Sequence, residues 1–252
     1  MVVGLVGAGN IARALARGWG EPVLCTDGGS GRAAELVREL GGEALDSNAE
    51  LARRADLIVL CHKPAQLEAV AAEIGDAAKA VASLLAVVPI SALQSAYPDR
   101  PVVRLLPNTA IEVCHGVICH TPTPGIDAAL EQAVLERFSR VGRIVTLPEQ
   151  LIDIATAVSG TGPAYLALVA EAQIDAAVKY GLPAPVAAEL VSETFAGFAE
   201  LLRARDNDTL AVRRDVTSPG GVTARGLAAL ERGGVRAAFA DALDAVAGQA
   251  GR

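Results

Sequence analysis

Val2-Val3-Gly4-Leu5-Val6-Gly7-Ala8-Gly9-Asn10-Ile11-Ala12 reads as a strand that runs into a glycine turn and opens a helix. Gly7 permits the tight turn, Gly9 lets the backbone approach a pyrophosphate, and Ala12, in the third small position, lets the helix pack on the strand. A helix start carries free N–H groups and the positive end of the helix dipole, so phosphates bind there. The stretch predicts a dinucleotide site that includes Gly7, Ala8, Gly9, Asn10 and Ile11.

Twenty residues after Gly7, Asp27 ends the next apolar run. A carboxylate there bonds the ribose 2′- and 3′-hydroxyls and repels a 2′-phosphate, which favours NADH. Gly28, Gly29, Ser30, Gly31 and Arg32 follow at once, a loop whose hydroxyl and guanidinium suit a phosphate. The residues therefore admit NADPH or NADH.

Beyond this point β-rich runs alternate with Ala-rich helical segments, the rhythm of a parallel sheet covered by helices. The expected strands are Val2–Val6, Val23–Thr26, Leu57–Cys61, Ala80–Val88, Val102–Leu105, Gly116–His120 and Arg143–Leu147. Helical patterning covers Ile11–Gly18, Arg32–Leu40, Ala65–Ile74 and Ala128–Arg140. After about Pro148 the strand signals stop. Pro163 suits a first helical position, and Gly181-Leu182-Pro183 supplies a C-cap and a breaker, so a helix is expected over Pro163–Tyr180. Further helices are expected from about Pro185 to Arg203, Thr223 to Glu231 and Val235 to Ala247. The predicted class is α/β: a Rossmann-type doubly wound sheet over 1–150, then an all-helical domain over 151–252. Phe195, Phe198, Leu201 and Leu202 lie at helical spacing beside an Ala-rich face, as the seam of a helical dimer interface requires.

Composition narrows the partners. Hydrophobic residues make up 52% and aromatics 3%, so the core is built from closely packed Ala, Val and Leu. A net charge of -7 argues against a nucleic-acid backbone as partner and for a small-molecule substrate. Without an uninterrupted apolar run of roughly 18 residues or a leader pattern, the expectation is a cytoplasmic protein with no membrane partner. Cys25, Cys61, Cys114 and Cys119 are scattered and read as reduced thiols. The pairs Cys114-His115 and Cys119-His120 repeat every five residues, which matches neither usual ligand spacing, so no metal site is expected.

Two segments of the helical half stand out: Val158-Ser159-Gly160-Thr161-Gly162-Pro163-Ala164 and Val216-Thr217-Ser218-Pro219-Gly220-Gly221-Val222-Thr223. Both read as helix starts, where successive glycine amides form a small anion nest suited to a carboxylate. Ser218 and Thr223 add hydroxyls. Taken singly, ordinary capping accounts for either segment.

Taken together, the motifs resemble the pyrroline-5-carboxylate reductase family nearly end to end. The matching elements are Gly7-Ala8-Gly9-Asn10, Asn48, Lys63-Pro64, Arg104 with Pro107-Asn108-Thr109, Ser159 to Tyr165, and Ser218 to Thr223 followed by Leu230-Glu231. The resemblance implies reduction of 1-pyrroline-5-carboxylate to L-proline with NADPH or NADH, by a homodimer or a larger assembly of dimers. It places Asn48, Lys63 and Pro64 on the nucleotide beside the glycine loop. It gives Thr223 the catalytic position at the ring nitrogen, with Ser218, Gly220, Gly221, Val222 and Thr223 holding the carboxylate.

The chain departs from the family at a few positions. Ala86-Val87 stands where an Ala-Gly pair is usual, Asp215 where Asn is, and Ile11 where Met is; His62 reads as a strand-end residue. Val87 and Asp215 leave open another small cyclic imine acid as substrate, and the fold alone leaves open a nucleotide-binding protein without turnover.

Overall fold

The computed structural model describes residues 1–250. The chain forms two compact units, Met1–Pro163 and Ala164–Gln249. The first begins with β1 (Val3–Val6), α1 (Asn10–Trp19), β2 (Val23–Thr26), α2 (Arg32–Leu40), β3 (Gly42–Ala44), α3 (Asn48–Arg54) and β4 (Leu57–Leu60). It continues with α4 (Leu67–Ile74), β5 (Val81–Ser83), α5 (Ile90–Ala96), β6 (Val102–Pro107), β7 (Gly116–Thr121), α6 (Ala128–Ser139) and β8 (Gly142–Thr146). These strands make one sheet in the order β3-β2-β1-β4-β5-β6-β7-β8, parallel except at the β6–β7 pair.

Side chains alternate across a strand, and here they feed two separate cores. Leu57 and Val59 of β4 join Leu15 of α1, Leu36 of α2 and Phe138 of α6. Ile58 and Leu60 of the same strand join Leu51 of α3, Val70 of α4 and Leu93 of α5. The sheet is thus covered on both faces, which explains why its central strands are continuous apolar runs. The chain steps outward from β1 to β2 and β3, then returns to β4 on the other side of β1. That reversal opens a crevice at the carboxyl ends of β1 and β4, where open α/β sheets bind ligands.

Some elements differ from the sequence reading. The run expected as Ala80–Val88 is a strand only over Val81–Ser83, and the chain then turns at Ala86-Val87, where the φ of Val87 is +56°. The short edge strand β3 and helices α3 and α5 were not expected.

The larger correction concerns Pro163, which does not start a helix. It lies inside α7 (Glu149–Lys179), a single 31-residue helix. The amides of Ser159–Gly162 are therefore spent on helical turns and form no anion nest. A proline inside a helix removes the N–H owed to the carbonyl four residues earlier, here that of Ser159. The Asn108 side-chain amide donates to that carbonyl at 3.1 Å, while its Oδ1 accepts the Val117 N–H at 3.1 Å.

The second unit comprises the rest of α7 followed by α8 (Ala184–Arg203), α9 (Thr209–Asp215), α10 (Val222–Arg232) and α11 (Val235–Ala250). Among its described residues, the buried hydrophobic side chains are Ala187 and Val212. Leu166, Leu168, Leu190, Phe198 and Leu230 are all exposed in the single chain. A helical unit in this state leaves most of its apolar surface uncovered.

Candidate active site

A cleft of 670 Å³ occupies the crevice at the ends of β1, β2 and β4. It brings together most of the predicted nucleotide residues: Gly7, Ala8, Gly9 and Ile11 from the glycine turn, with Asp27, Asn48, Lys63 and Pro64. Asn10 is the first residue of α1. Gly7 has φ +102°, and a β-carbon there would come within 2.9 Å of the Cys61 carbonyl carbon, so only glycine fits. Gly9 is the N-cap of α1, and no protein atom lies within 4 Å of where its β-carbon would sit. The protein's own atoms therefore leave the backbone at Gly9 open to close approach. No side chain caps α1, and its first turn carries no carboxylate. The turn and the bare helix start fit a pyrophosphate.

The structure also fixes residues that the sequence only placed. Asn48 opens α3; its Oδ1 accepts the Thr26 hydroxyl at 2.6 Å and its Nδ2 donates to Glu73 at 2.5 Å. The Asn48 side chain is thereby oriented between β2 and α4. Thr26 and Glu73 line the cleft, as do Leu84, Leu85 and Ala86 at the end of β5. Sequence reasoning missed Glu73 because α4 reaches the cleft only through the fold, and Leu84, Leu85 and Ala86 because they were read as strand.

Asp27 is held by its own loop. Oδ1 accepts the Gly29 N–H at 2.8 Å, while Oδ2 accepts the Ser30 hydroxyl at 3.1 Å and the Ala33 N–H at 2.9 Å. The Ala33 amide, desolvation opposing, holds the carboxyl below the ordinary aspartate range, with smaller help from Gly29 and Ser30. Ala33 is the second residue of α2, whose N-cap Gly31 has no side chain to offer, so Asp27 caps that helix from outside. Ser30 and Arg32 also line the cleft.

The other predicted cluster lies in the second unit, at the start of α10. Gly220 has φ +69°, and Gly221 is the N-cap with no side-chain cap bond. A β-carbon on Gly221 would sit 2.4 Å from the Ser218 hydroxyl oxygen and 3.1 Å from its carbonyl oxygen, so a side chain there would displace that hydroxyl. Val222 and Thr223 are the first helical residues, and among the described residues no acidic side chain lies in that turn. Unlike Ser159–Pro163, this segment is a genuine helix start. Asp215 is accounted for separately: it accepts from Arg205 Nε at 3.1 Å and Nη2 at 2.9 Å.

His120 is buried on β7, with Nδ1 3.1 Å from the Thr146 hydroxyl and Nε2 3.3 Å from Glu131. Burial also pushes the Cys25 thiol up to about 11 and that of Cys61 up to about 12, so both stay protonated at neutral pH.

A doubly wound sheet, a glycine turn at its switch point and an uncapped helix start beneath that turn define a dinucleotide-binding protein. The model of the pyrroline-5-carboxylate reductase dimerisation family matches residues 149–252. That of the NADP oxidoreductase, coenzyme F420-dependent family matches residues 2–87. Pyrroline-5-carboxylate reductase of Corynebacterium melassecola is 34% identical over 97% of this chain and 96% of its own length. That of Synechocystis is 36% identical over 79% of this chain and 75% of its own. Among solved structures, Plasmodium falciparum pyrroline carboxylate reductase with NADP bound superposes with a TM-score of 0.89, at 28% identity, covering 99% of this chain and 97% of that one. The chain belongs to the pyrroline-5-carboxylate reductase family, and NAD(P)H is its coenzyme.

The match over 149–252 also accounts for α7, whose length and mean hydropathy of 1.3 would let it cross a membrane on those grounds alone. In this family the segment is part of a dimerisation domain.

Proposed function

We propose that the chain reduces 1-pyrroline-5-carboxylate to L-proline. Membership of the family supports the reaction, and the observation that carries it to particular residues is the Ser218–Thr223 turn at the start of α10. On this reading the Ser218 hydroxyl and the amides of Gly220, Gly221, Val222 and Thr223 hold the substrate carboxylate, a task suited to an uncapped helix start. Thr223 donates its hydroxyl to the ring nitrogen and is the catalytic residue.

The division of labour follows the predicted domains, with 1–150 binding the dinucleotide and 151–252 supplying the substrate turn and the dimer contacts. Gly7, Ala8, Gly9, Asn10 and Ile11 receive the pyrophosphate, and Asp27, Asn48, Lys63 and Pro64 complete the nucleotide site. NAD(P)H supplies the hydride. An imine nitrogen is itself basic, so the protein has to orient the C=N bond and shield it rather than provide a strong acid. We place the active form as a homodimer, or an assembly of dimers, in the cytoplasm.

The test is NADPH and NADH oxidation by purified protein with and without pyrroline-5-carboxylate. Imine-dependent oxidation is expected. Thr223→Ala is expected to lower kcat/KM by roughly tenfold or more while dinucleotide affinity stays unchanged, because it removes a substrate-end contact alone. Full activity in that variant would overturn the assignment.

A further inference from the structure

Ala86 lines the dinucleotide cleft together with Leu84 and Leu85, where the chain turns between β5 and α5. In a doubly wound sheet the end of β2 marks the adenosine ribose. β5 lies on the opposite side of β1, beyond β4, so this turn bounds the nicotinamide half of the cleft. Its backbone is not relaxed: Val87 holds φ +56°, and such a conformation persists only where the surroundings fix the chain. On the β5 side the anchors are local, with the Leu84 N–H donating to the Leu60 carbonyl at 3.1 Å and the Leu85 N–H to the Ser83 hydroxyl at 3.3 Å.

The anchor on the far side comes from elsewhere in the chain. α5 starts at Ile90 behind Pro89, whose side chain has no atom to accept a helix amide. Glu149, in the first turn of α7, takes that part: its Oε1 accepts the Ile90 N–H at 2.7 Å. The same oxygen accepts from Arg104 Nη1 at 3.2 Å, and Arg104 Nη2 donates to Asp153 Oδ1 at 2.8 Å. Arg104 is 1% exposed on β6, paired with Ser83 of β5, so the cation that pins Glu149 is itself fixed within the sheet. A buried guanidinium paired in this way leaves the carboxylate little freedom. All of these residues belong to the first unit.

We infer that Glu149 is a positioning residue for hydride transfer. Held by Arg104, it fixes the Ala86–Pro89 turn through the Ile90 amide, and with it the wall against which the nicotinamide is set. Glu149 is not among the residues that line the cleft, so it acts through the turn alone. The inference rests on the reductase reading above.

The experiment separates reach from charge. Glu149→Asp keeps the charge beside Arg104 but withdraws the carboxylate by one methylene, whereas Glu149→Gln keeps an oxygen at the same reach and gives up the charge. With pyrroline-5-carboxylate and NADPH, Glu149→Asp is expected to lower kcat by roughly tenfold, within the cost of a sub-ångström misplacement of the reacting atoms. The Kd of the same variant for 2′,5′-ADP, the adenosine half of the coenzyme, should be unchanged. Glu149→Gln is expected to retain most of kcat, because the Ile90 amide still has its acceptor. In a single turnover of NADPH-bound protein mixed with excess imine, the rate constant does not depend on how much of the protein is folded, and it should fall in Glu149→Asp by the same factor as kcat. Wild-type kcat in Glu149→Asp, an equal loss in Glu149→Gln, or an unchanged single-turnover rate constant in a slowed Glu149→Asp would overturn the inference. If wild type showed no imine-dependent oxidation of NADPH or NADH, the reductase reading beneath it would fall instead.

Discussion

Asn108 donates its side-chain amide to the carbonyl of Ser159, the one carbonyl of α7 that Pro163 leaves without a helical donor. Asn108 is 9% exposed, so this bond forms largely away from water. Asn108→Asp keeps the acceptor for Val117 and loses the donor, and a destabilisation of about 1–3 kcal/mol is expected from the orphaned carbonyl. Pro163→Ala returns the helical N–H. In a double-mutant cycle by urea unfolding, the cost of Asn108→Asp should shrink when Pro163→Ala is present. Additive costs would show that the two sites are independent.

Asp27 is bonded by Gly29, Ser30 and Ala33 of its own loop and the following helix. Asp27→Ala is expected to raise KM for NADH and NADPH together, because it frees Gly28–Arg32 and uncaps α2, with a stability cost of about 1 kcal/mol. A ribose ligand would instead lose NADH selectively. Since hydrogen bonds hold the Asp27 carboxyl below its ordinary range, its contribution is complete above the unfolded aspartate pKa. It is lost only as pH falls through the lower folded value. Loop order, read by protease resistance, should accordingly persist through mildly acid pH.

Val87 holds φ +56° while its side chain is 55% exposed. A β-branched residue in the left-handed region is strained by about 1–3 kcal/mol, and exposed packing does not offset that. Val87→Gly gives back backbone freedom in the unfolded chain but relieves the strain, so a net gain of about 1 kcal/mol is expected, seen as a higher Tm. If Val87 narrows the substrate end, the same variant should also lower KM for bulkier cyclic imine acids. A lower Tm would show that the turn is not strained.

His120 supplies a pH dependence of the same sign as Asp27, but in a higher pH range. Burial pushes its pKa below that of free histidine, Glu131 opposing. The unfolded chain then binds the proton more readily than the folded one, and stability falls as pH drops below the unfolded histidine value of about 6.5. His62 adds to the same slope. Thermal melts between neutral and mildly acid pH should show the decline, and His120→Gln should flatten it.

What could be read from the residues alone depended on how local the determinant is. The β1-turn-α1 unit was legible because alternation, glycine spacing and helix start all lie within a dozen residues. β3 has three residues, all exposed, so no apolar pattern announced it. The Ser159–Pro163 segment misled because glycine and proline signal a break locally. What keeps α7 intact there is Asn108, 51 residues away in sequence. In the site, Asn48 was placed by its motif, but its hydroxyl and carboxylate partners, Thr26 and Glu73, emerged only from the fold. The Asp27 side chain was known to end β2; its direction was not.

The bare helical surface of the second unit has a consequence for handling the protein. A fold whose apolar faces are covered by another copy of itself gains stability by mass action, so its melting temperature should climb with protein concentration. Specific activity should then decay on dilution and return on concentration. Assays run at nanomolar enzyme would report the assembly equilibrium along with the chemistry.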